Sequence, residues 1–372
     1  MKYIHELKIW PKFTWDEARL AEELVTVRHQ QGRLIGRMES LGFKLRAEAV
    51  LQCLTEEVLK SSEIEGEKLN REQVRSSLAR RLGMDAGGVK ADRNVEGVVE
   101  MILDATQNFD KPITAERLFG WHSALFPTGR SGMTKIRVGR WRDDKEGPMQ
   151  VVSGPIGREK VHYQAPKAKI VAVEMQAFLT GFNSKKPIDA VVKSAVAHLW
   201  YVTIHPFEDG NGRIARAIAD LQLARSEKTS QRFYSMSTQI LQERKDYYDI
   251  LESTQKGNLD ITDWLEWFLG CLGRAFKGAE IILSSVLKKA EFWENHSGEA
   301  FNERQRKLLK FLFDGFEEKL TSSKWAKLGK CSQDTASRDI DDLVKREILS
   351  KNPGGGRSTS YSLAASDGIY LK

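Results

Sequence analysis

A stretch of twelve residues brings a histidine, an acid, two glycines and two arginines together. It runs from His205 to Arg216 and reads H-P-F-E-D-G-N-G-R-I-A-R. Glycine carries no Cβ and lets the backbone approach a ligand, while planar guanidinium groups suit phosphate oxygens. A carboxylate oxygen is the kind of ligand that Mg²⁺ takes when phosphate and water fill most of its shell. These residue types therefore indicate a site for a nucleotide with magnesium.

Two predicted helices position these side chains. Apolar residues at spacings of three and four over 187–203 predict a helix, which the proline after His205 should stop. A second apolar stripe starts at Ile214, so its helix should begin just beyond the glycine turn, with free N–H groups toward an anion. Arg213 and Arg216 are three residues apart and should share a face. A lone histidine or Asp-Gly is usually structural, but a structural turn needs no such set of charges.

At every specified position the stretch resembles the signature of the Fic family, H-P-F-x-[DE]-G-N-G-R-x-x-R. Members of this family mostly transfer AMP from ATP to a hydroxyl side chain of a target protein. The resemblance implies that His205 is the general base for a Ser, Thr or Tyr hydroxyl and that Asp209 holds Mg²⁺ against the phosphates. It further implies that the phosphate chain lies on Gly210, Asn211, Gly212, Arg213 and Arg216.

A second segment, residues 61–66, resembles the inhibitory motif of the same family, [ST]-x-x-x-E-[GN]. The alternative is a helix that ends at a glycine cap with its acids in solvent. The resemblance implies a helix that places Glu65 against Arg216, where the γ-phosphate of ATP would lie. We therefore expect self-inhibition.

Between the two motifs, β-favouring residues broken by Gly and Pro predict a hairpin. In the Fic family such a hairpin is a flap that pairs through its main chain with the target segment. The expected target-docking residues are Met149, Gln150, Val151, Val152 and Ser153. A plain structural hairpin is the alternative, and His162 on the returning strand has no assigned role.

Tyr247 and Tyr248 lie on a predicted helix, and in similar Fic sequences a tyrosine at this place lines the adenosine pocket. We therefore expect both to contact ATP. Aromatic residues at helical spacing are more often part of a core, which is the alternative.

The composition predicts a cytoplasmic, multidomain protein without a membrane anchor. The chain has 372 residues, 41% of them hydrophobic, with a net charge of +7. Three scattered cysteines favour neither a disulfide framework nor a zinc site. No apolar run approaches the length that spans a bilayer, and the N-terminus lacks the apolar core of a signal peptide.

We expect a mainly α protein: a Fic-type helical bundle with a β-hairpin flap, an N-terminal helical domain and a C-terminal winged helix. Thr14 to Glu17 and Asn70 to Gln73 predict the first turns of two N-terminal helices. The predicted domains are an N-terminal helical domain over 1–94, a catalytic core over 95–273, a connecting helix over 274–300 and a winged helix over 301–372.

The predicted winged helix consists of three helices and a two-stranded wing with the glycine-rich tip 353–357. Such a domain binds DNA or docks and pairs proteins, and the sequence favours neither. Basic residues suit phosphates, whereas four acids oppose them on the third helix: Asp334, Asp339, Asp341 and Asp342.

Two classes of function compete. One is a protein adenylyltransferase that uses ATP and Mg²⁺ and modifies a target protein and itself. Fic proteins of this layout often form homodimers, but the sequence leaves the oligomeric state open. The other is a DNA-binding regulator whose Fic core is a sensor. The intact signature favours the enzyme, because nothing structural demands all of its residues. Within the enzyme class, another nucleotide or phosphocholine donor, or removal of AMP, stays open.

Overall fold

The computed structural model describes residues 3–85, 88–145, 147–155, 158–185, 187–313, 319–353 and 359–364. The chain divides into two units, Met1–Leu283 and Ser284–Lys372. The boundary falls inside the long helix α11, Thr262–Asn295. Most of the predicted connecting helix over 274–300 is the C-terminal part of α11.

The first unit is built mainly from helices. After a short 3₁₀ turn over Ile4–Glu6 come α1 (Glu17–Glu39), α2 (Phe43–Ile64), α3 (Arg71–Arg81), α4 (Arg93–Gln107), α5 (Ala115–Leu125), α6 (Ala168–Asn183), α7 (Ala190–Ile204), α8 (Asn211–Glu227), α9 (Met236–Gln242), α10 (Arg244–Gln255) and α11. The predicted mainly α class is confirmed.

Side-chain caps fix several helix starts. Asn70 Oδ1 accepts from the backbone N–H of Gln73, as the sequence predicted for α3. The prediction for α1 was wrong by two residues, because Asp16 and not Thr14 is the cap and accepts from Arg19 N. Thr14 instead bridges in parallel to Asp260, which takes it out of the helix start.

Four short strands in this unit form two antiparallel pairs. Strand β1 (Arg130–Ser131) pairs with β2 (Thr134–Lys135), and β3 (Gln150–Ser153) pairs with β4 (Lys160–Gln164). The second pair is the predicted hairpin. Its register shifts between Val151 and Val152, which marks a β-bulge.

Helices α7 and α8 form the centre of the core. Their facing apolar side chains are fully buried: Ala195, Leu199, Ile214, Ile218 and Leu221. Because burial of each large aliphatic side chain contributes about 1.5–3 kcal/mol, this antiparallel pair holds the segment between the two helices in a fixed place. That segment carries the motif of interest.

The second unit contains α12 (Glu303–Phe313), α13 (Ser322–Gly329), α14 (Gln333–Lys345) and an antiparallel pair, β5 (Leu349–Lys351) and β6 (Tyr361–Leu363). Trp325, Leu309 and Leu343 are buried in its core. The order of helices and strands is the predicted one, and most of the glycine tip lies outside the described residues. The winged-helix assignment itself stays a prediction.

One of the four acids on α14 is not exposed toward a phosphate, contrary to the expectation from the sequence. Asp339 is buried and its carboxylate accepts from Arg304 Nε at 2.7 Å and from Asn302 Nδ2 at 2.9 Å. Its charge is therefore neutralised within the unit, while Asp334 and Asp341 stay exposed.

Among the described residues, no helix combines the length and apolar character that crossing a membrane requires. The three cysteines are free thiols, with Cys53 and Cys271 buried.

Candidate functional site

The motif forms the connection between α7 and α8. His205 directly follows α7 and has φ 50° and ψ 60°, in the left-handed region. Because a proline follows it, His205 was expected outside the right-handed α region. The backbone of His205 does lie outside that region, but it is left-handed and not extended. Gly210 also has a positive φ of 78°. Helix α8 begins at Asn211, so Gly212 lies in its first turn rather than before it.

The side chain of Asn211 closes this loop. Its Oδ1 accepts from Phe207 N at 3.0 Å and its Nδ2 donates to Phe207 O at 2.8 Å. Both polar ends of the amide are therefore used by one residue of the loop. Asn211 holds the loop closed with its side chain, and its backbone at the helix N-terminus is the part left for a ligand.

His205 is a half-buried neutral base at the end of α7. Its Nδ1 is 3.2 Å from the carbonyl oxygen of Val202, which can only accept, so Nδ1 carries the proton. Burial lowers the pKa of His205 to about 4. At neutral pH the ring is therefore uncharged, with the lone pair of Nε2 free to take a proton.

Arg142, which the sequence analysis did not single out, holds the backbone of this turn. Its side chain is fully buried, and its Nε donates to His205 O at 2.8 Å. Its backbone N–H donates to Pro206 O, and its Nη2 donates to Pro166 O just beyond the hairpin. A left-handed residue other than glycine persists only where its surroundings enforce it. Arg142 supplies that support.

Arg216 is bound to the end of α2. Its Nη2 donates to Glu65 Oε1 and to Ser61 O, both at 2.8 Å, and its Nε donates to Ser61 Oγ at 3.0 Å. The Arg216 side chain is 2% exposed and that of Glu65 is 32% exposed. The two motifs, 151 residues apart in the chain, thus meet in one ion pair.

The carboxylate of Glu65 lies directly on the first turn of α8. A Cβ on Gly212 would come within 2.2 Å of Glu65 Oε1 and 3.3 Å of Arg216 Nη1. No real Cβ tolerates the shorter distance. Glycine at 212 therefore admits an acidic oxygen against the helix N-terminus, and in this structure the oxygen belongs to Glu65.

The first motif arginine has an acidic partner of its own, which the sequence analysis missed. Arg213 Nη1 donates to Glu67 Oε2 at 2.7 Å, and its guanidinium carbon lies 5.1 Å from the centre of the Phe126 ring. Gly66, with φ 85°, turns the chain between the two glutamates. Glu65 and Glu67 therefore each hold one motif arginine.

Asp209 is held beside the N-terminus of α8. Its Oδ1 accepts from Gly210 N at 2.6 Å and its Oδ2 accepts from the hydroxyl of Ser131. Each oxygen keeps a second lone pair, so the carboxylate can still bind a cation. One carboxylate completed by phosphate and water is a ligand set that suits Mg²⁺. No group of three or more His, Cys, Asp or Glu side chains in the described part of the chain could hold a metal.

His122 on α5 supports the same loop and was also missed. Its Nδ1 accepts from Gly139 N at 3.2 Å, so its Nε2 carries the proton and donates to the carbonyl oxygen of Asp209 at 3.2 Å. Burial lowers the pKa of His122 to about 4. Its ring stacks on that of Phe207, with the centres 4.0 Å apart. No short sequence pattern connects His122 to a loop 87 residues away.

The two tyrosines of α10 differ in position. Tyr247 is 1% exposed, and its hydroxyl lies 2.9 Å from Nε2 of the buried His198. Tyr248 is half-buried, with the guanidinium of Arg244 5.3 Å from its ring centre. Tyr247 is thus buried, whereas Tyr248 keeps exposed surface that a ligand could contact, and the ATP contact of both stays a prediction.

The predicted docking residues lie on the first hairpin strand and next to it. Met149 precedes β3 and its carbonyl accepts from Ala165 N at 2.9 Å, while Val152 and Ser153 are exposed. Within the described residues β3 pairs with β4 alone, which leaves its other edge for an added strand. The hairpin is joined to the site by Tyr163, whose hydroxyl donates to Thr203 O at 2.6 Å.

Comparison with known proteins agrees with this geometry. The model of the Fic/DOC family matches residues 112–223, and a family model described as a domain of unknown function, DUF4172, matches residues 3–84. Residues 112–223 of this chain therefore form a Fic/DOC domain.

Curated relatives carry the name protein adenylyltransferase. A probable protein adenylyltransferase of Aquifex aeolicus is 24% identical over 133 residues, which are 36% of this chain and 36% of that protein. Protein adenylyltransferase Fic of Aedes aegypti is 26% identical over 216 residues, 57% of this chain and 38% of that protein. The matches thus span little more than a third of these relatives.

Solved structures share the fold. A Fic family protein from Desulfovibrio desulfuricans covers 93% of this chain and 97% of its own, with 20% identity and a TM-score of 0.51. A Fic domain containing signaling protein from Bacteroides thetaiotaomicron covers 70% of this chain and 97% of its own, with 20% identity and a TM-score of 0.53. The predicted Fic-type fold is confirmed.

Proposed function

We propose that this protein is an adenylyltransferase that moves AMP from ATP to a Ser, Thr or Tyr hydroxyl of a target protein and of itself. The observation that carries the proposal is a pair of buried nitrogens, Arg213 Nε and Arg216 Nη1, without a hydrogen-bond partner among the described residues. Buried donors are normally satisfied, so an added acceptor at this place would stabilise both arginines. Beside the glycine-lined start of α8, the acceptor that fits them is a phosphate oxygen.

His205 would act on the acceptor hydroxyl of the target protein. Its Nε2 takes the hydroxyl proton while the hydroxyl oxygen bonds to the α-phosphorus, and pyrophosphate leaves with the electrons of the broken bond. A positioned base contributes about 10²–10⁴ in rate. Arg142 and His122 act only through this turn, because they hold its backbone and do not reach the reacting atoms.

Asp209 is the residue that would hold Mg²⁺. The ion would supply positive charge against the phosphates. The two arginines and the N-terminus of α8 supply the rest of the charge stabilisation, and phosphoryl-type transfer depends mostly on such positioning.

Glu65 would restrain the reaction. Its carboxylate occupies the place beside Gly212 and Arg216 where an anionic oxygen of the nucleotide would lie. ATP and Glu65 therefore compete for the same arginine. Release of the end of α2 is the step that would activate the enzyme.

The test replaces His205 in a Glu65→Gly background, with labelled ATP and detection of label on proteins other than this chain. His205→Asn is the sharper variant, because asparagine tolerates the left-handed backbone that alanine does not. We expect transfer to fall about 10²–10⁴-fold while ATP binding persists. His29→Asn, at an exposed position of α1, is the matched control and should transfer normally. Undiminished transfer by His205→Asn would refute the role of His205.

The same assay separates the alternatives. Parallel reactions with GTP, UTP and CTP identify the donor, and incubation of pre-modified protein without nucleotide measures removal of AMP. If protein is labelled only by a nucleotide other than ATP, that nucleotide is the donor. No label from any nucleotide would overturn the proposed activity.

A further inference from the structure

Three side chains outside the nucleotide site form a hydrogen-bonded chain between the hairpin and α10. Ser153 Oγ lies 2.6 Å from His162 Nε2, and His162 Nδ1 lies 2.5 Å from Glu252 Oε2. An ionised carboxylate only accepts, so Nδ1 carries the proton and Nε2 accepts from the serine hydroxyl. A hydroxyl, an imidazole and a carboxylate in this order are the arrangement that activates a nucleophilic serine.

The β-bulge of the hairpin produces this alignment. Val151 is opposite Tyr163 and Val152 is opposite Val161, so His162 is the extra residue of β4. A bulge redirects the side chain of the residue that it adds. Here the redirected imidazole reaches both Ser153 on the neighbouring strand and Glu252 on α10.

Exposure and charge also suit a reactive group. Ser153 is exposed, and the side chains of His162 and Glu252 are 26% and 24% exposed, so a reagent can reach the hydroxyl. Lys256 Nζ lies 2.5 Å from Glu252 Oε1. Its hydrogen bond, together with that of His162, lowers the pKa of Glu252 to about 2. The carboxylate is therefore ionised at neutral pH and stabilises the imidazolium that forms when His162 takes a proton.

We propose that Ser153 is a base-activated acceptor for phosphorus electrophiles and that the adenylyl group is the one it receives in this protein. The adenylyl part rests on the proposed function. One attachment of the hairpin adjoins the motif, because the Tyr163 hydroxyl donates to Thr203 O, two residues before His205. The other joins His162 to Glu252 on α10, four residues after Tyr248, which we expect to contact ATP. The Ser153 oxygen bonds to phosphorus, its proton goes to His162 Nε2, and pyrophosphate leaves with the electrons of the broken bond.

The intrinsic reactivity is tested with a fluorophosphonate probe on the full chain, where fluoride is the leaving group. We expect labelling that maps to Ser153 and is lost in Ser153→Ala. His162→Ala should label at least about tenfold more slowly, in line with the loss of a general base. Glu252→Gln should also label more slowly. Because it keeps the size of the side chain, slow labelling of this variant is not explained by an unfolded hairpin. Ser253→Ala, at an exposed serine of α10 bonded to Ile250 O, is the control and should label normally. Equal labelling of the wild type and Ser153→Ala, or of the wild type and both relay variants, would overturn the proposal.

The adenylyl step is tested by peptide mapping of the Glu65→Gly protein after incubation with ATP. We expect an adenylyl group on Ser153. His205→Asn should abolish transfer to a target but should leave labelling of Ser153 by the fluorophosphonate probe unchanged. Modification only at other residues would overturn the adenylyl step while the proposed function stands. No transfer to any protein would overturn the proposed function, and the probe would then decide whether Ser153 is reactive.

Discussion

Replacing Glu65 should release the nucleotide site. In the structure Glu65 Oε1 makes one charge-assisted hydrogen bond of 2.8 Å with Arg216, whose side chain is buried. Such bonds contribute about 1.5–3 kcal/mol. Because the Glu65 side chain is about a third exposed, the lower part of this range applies, and 1.4 kcal/mol corresponds to about a tenfold change in an equilibrium. Glu65→Gly should therefore strengthen productive ATP binding about tenfold.

Two readouts measure the effect: nucleotide affinity by titration and the rate of label transfer from ATP. Glu65→Gln separates charge from bulk, since it weakens the pair with Arg216 but leaves a side chain beside Gly212. The ATP affinity and the transfer rate of Glu65→Gln should lie between those of the wild type and of Glu65→Gly. Glu63→Gly is the matched control, because Glu63 pairs with Lys60 at 2.9 Å within the same helix and not with the motif. A Glu65→Gly protein no more active than the wild type, with normal folding, would refute the inhibitory role.

Three further predictions concern the same site. Glu67→Gln should raise ATP affinity less than Glu65→Gly, because glutamine removes the charge at position 67 but keeps a side chain there, whereas glycine at position 65 also clears the place beside Gly212. The same titration measures the effect, and a larger effect than that of Glu65→Gly would contradict this order. The rate of transfer should be independent of pH from neutral down to about pH 5 and should fall as the pH drops through the His205 pKa of about 4, since only the neutral ring accepts a proton. A pH–rate profile over the range where the protein stays folded measures this. A loss of rate centred near pH 6.5 would contradict it. Asn211→Ala should lower the free energy of unfolding by about 1–3 kcal/mol, because it leaves the backbone N–H and C=O of the buried Phe207 without their partner. Urea denaturation measures this change. An unchanged denaturation midpoint would show that the loop does not depend on this amide.

The pH profile has a counterpart in stability. Burial holds the folded-state pKa values of His122 and His205 near 4, below the usual 6.5. The unfolded chain therefore binds more protons than the folded chain between these values. The contribution of these two histidines to the free energy of unfolding is fully present above about pH 6.5 and is lost as the pH falls toward 4.

The sequence by itself located the two central helices and showed which residue types the motif brings together. Apolar periodicity located α7 and α8 because burial on one face of a helix repeats every three to four residues. The glycines, the arginines and His205 stood within one short stretch, so their grouping needed no tertiary information. Helix ends were harder, as Thr14 shows: its pattern fits a cap, but its backbone bridges to Asp260, which no local rule contains.

Only the tertiary structure decided what surrounds the motif. Glu65 could be assigned to Arg216 from family resemblance, but the pair of Glu67 with Arg213, the support of the turn by Arg142 and the stacking of His122 depend on side chains that converge from distant helices and loops. The direction of a side chain there follows from packing, a bulge or a left-handed residue, which sequence spacing does not encode. His162 illustrates this: one extra residue in β4 turns its ring toward Ser153 and Glu252.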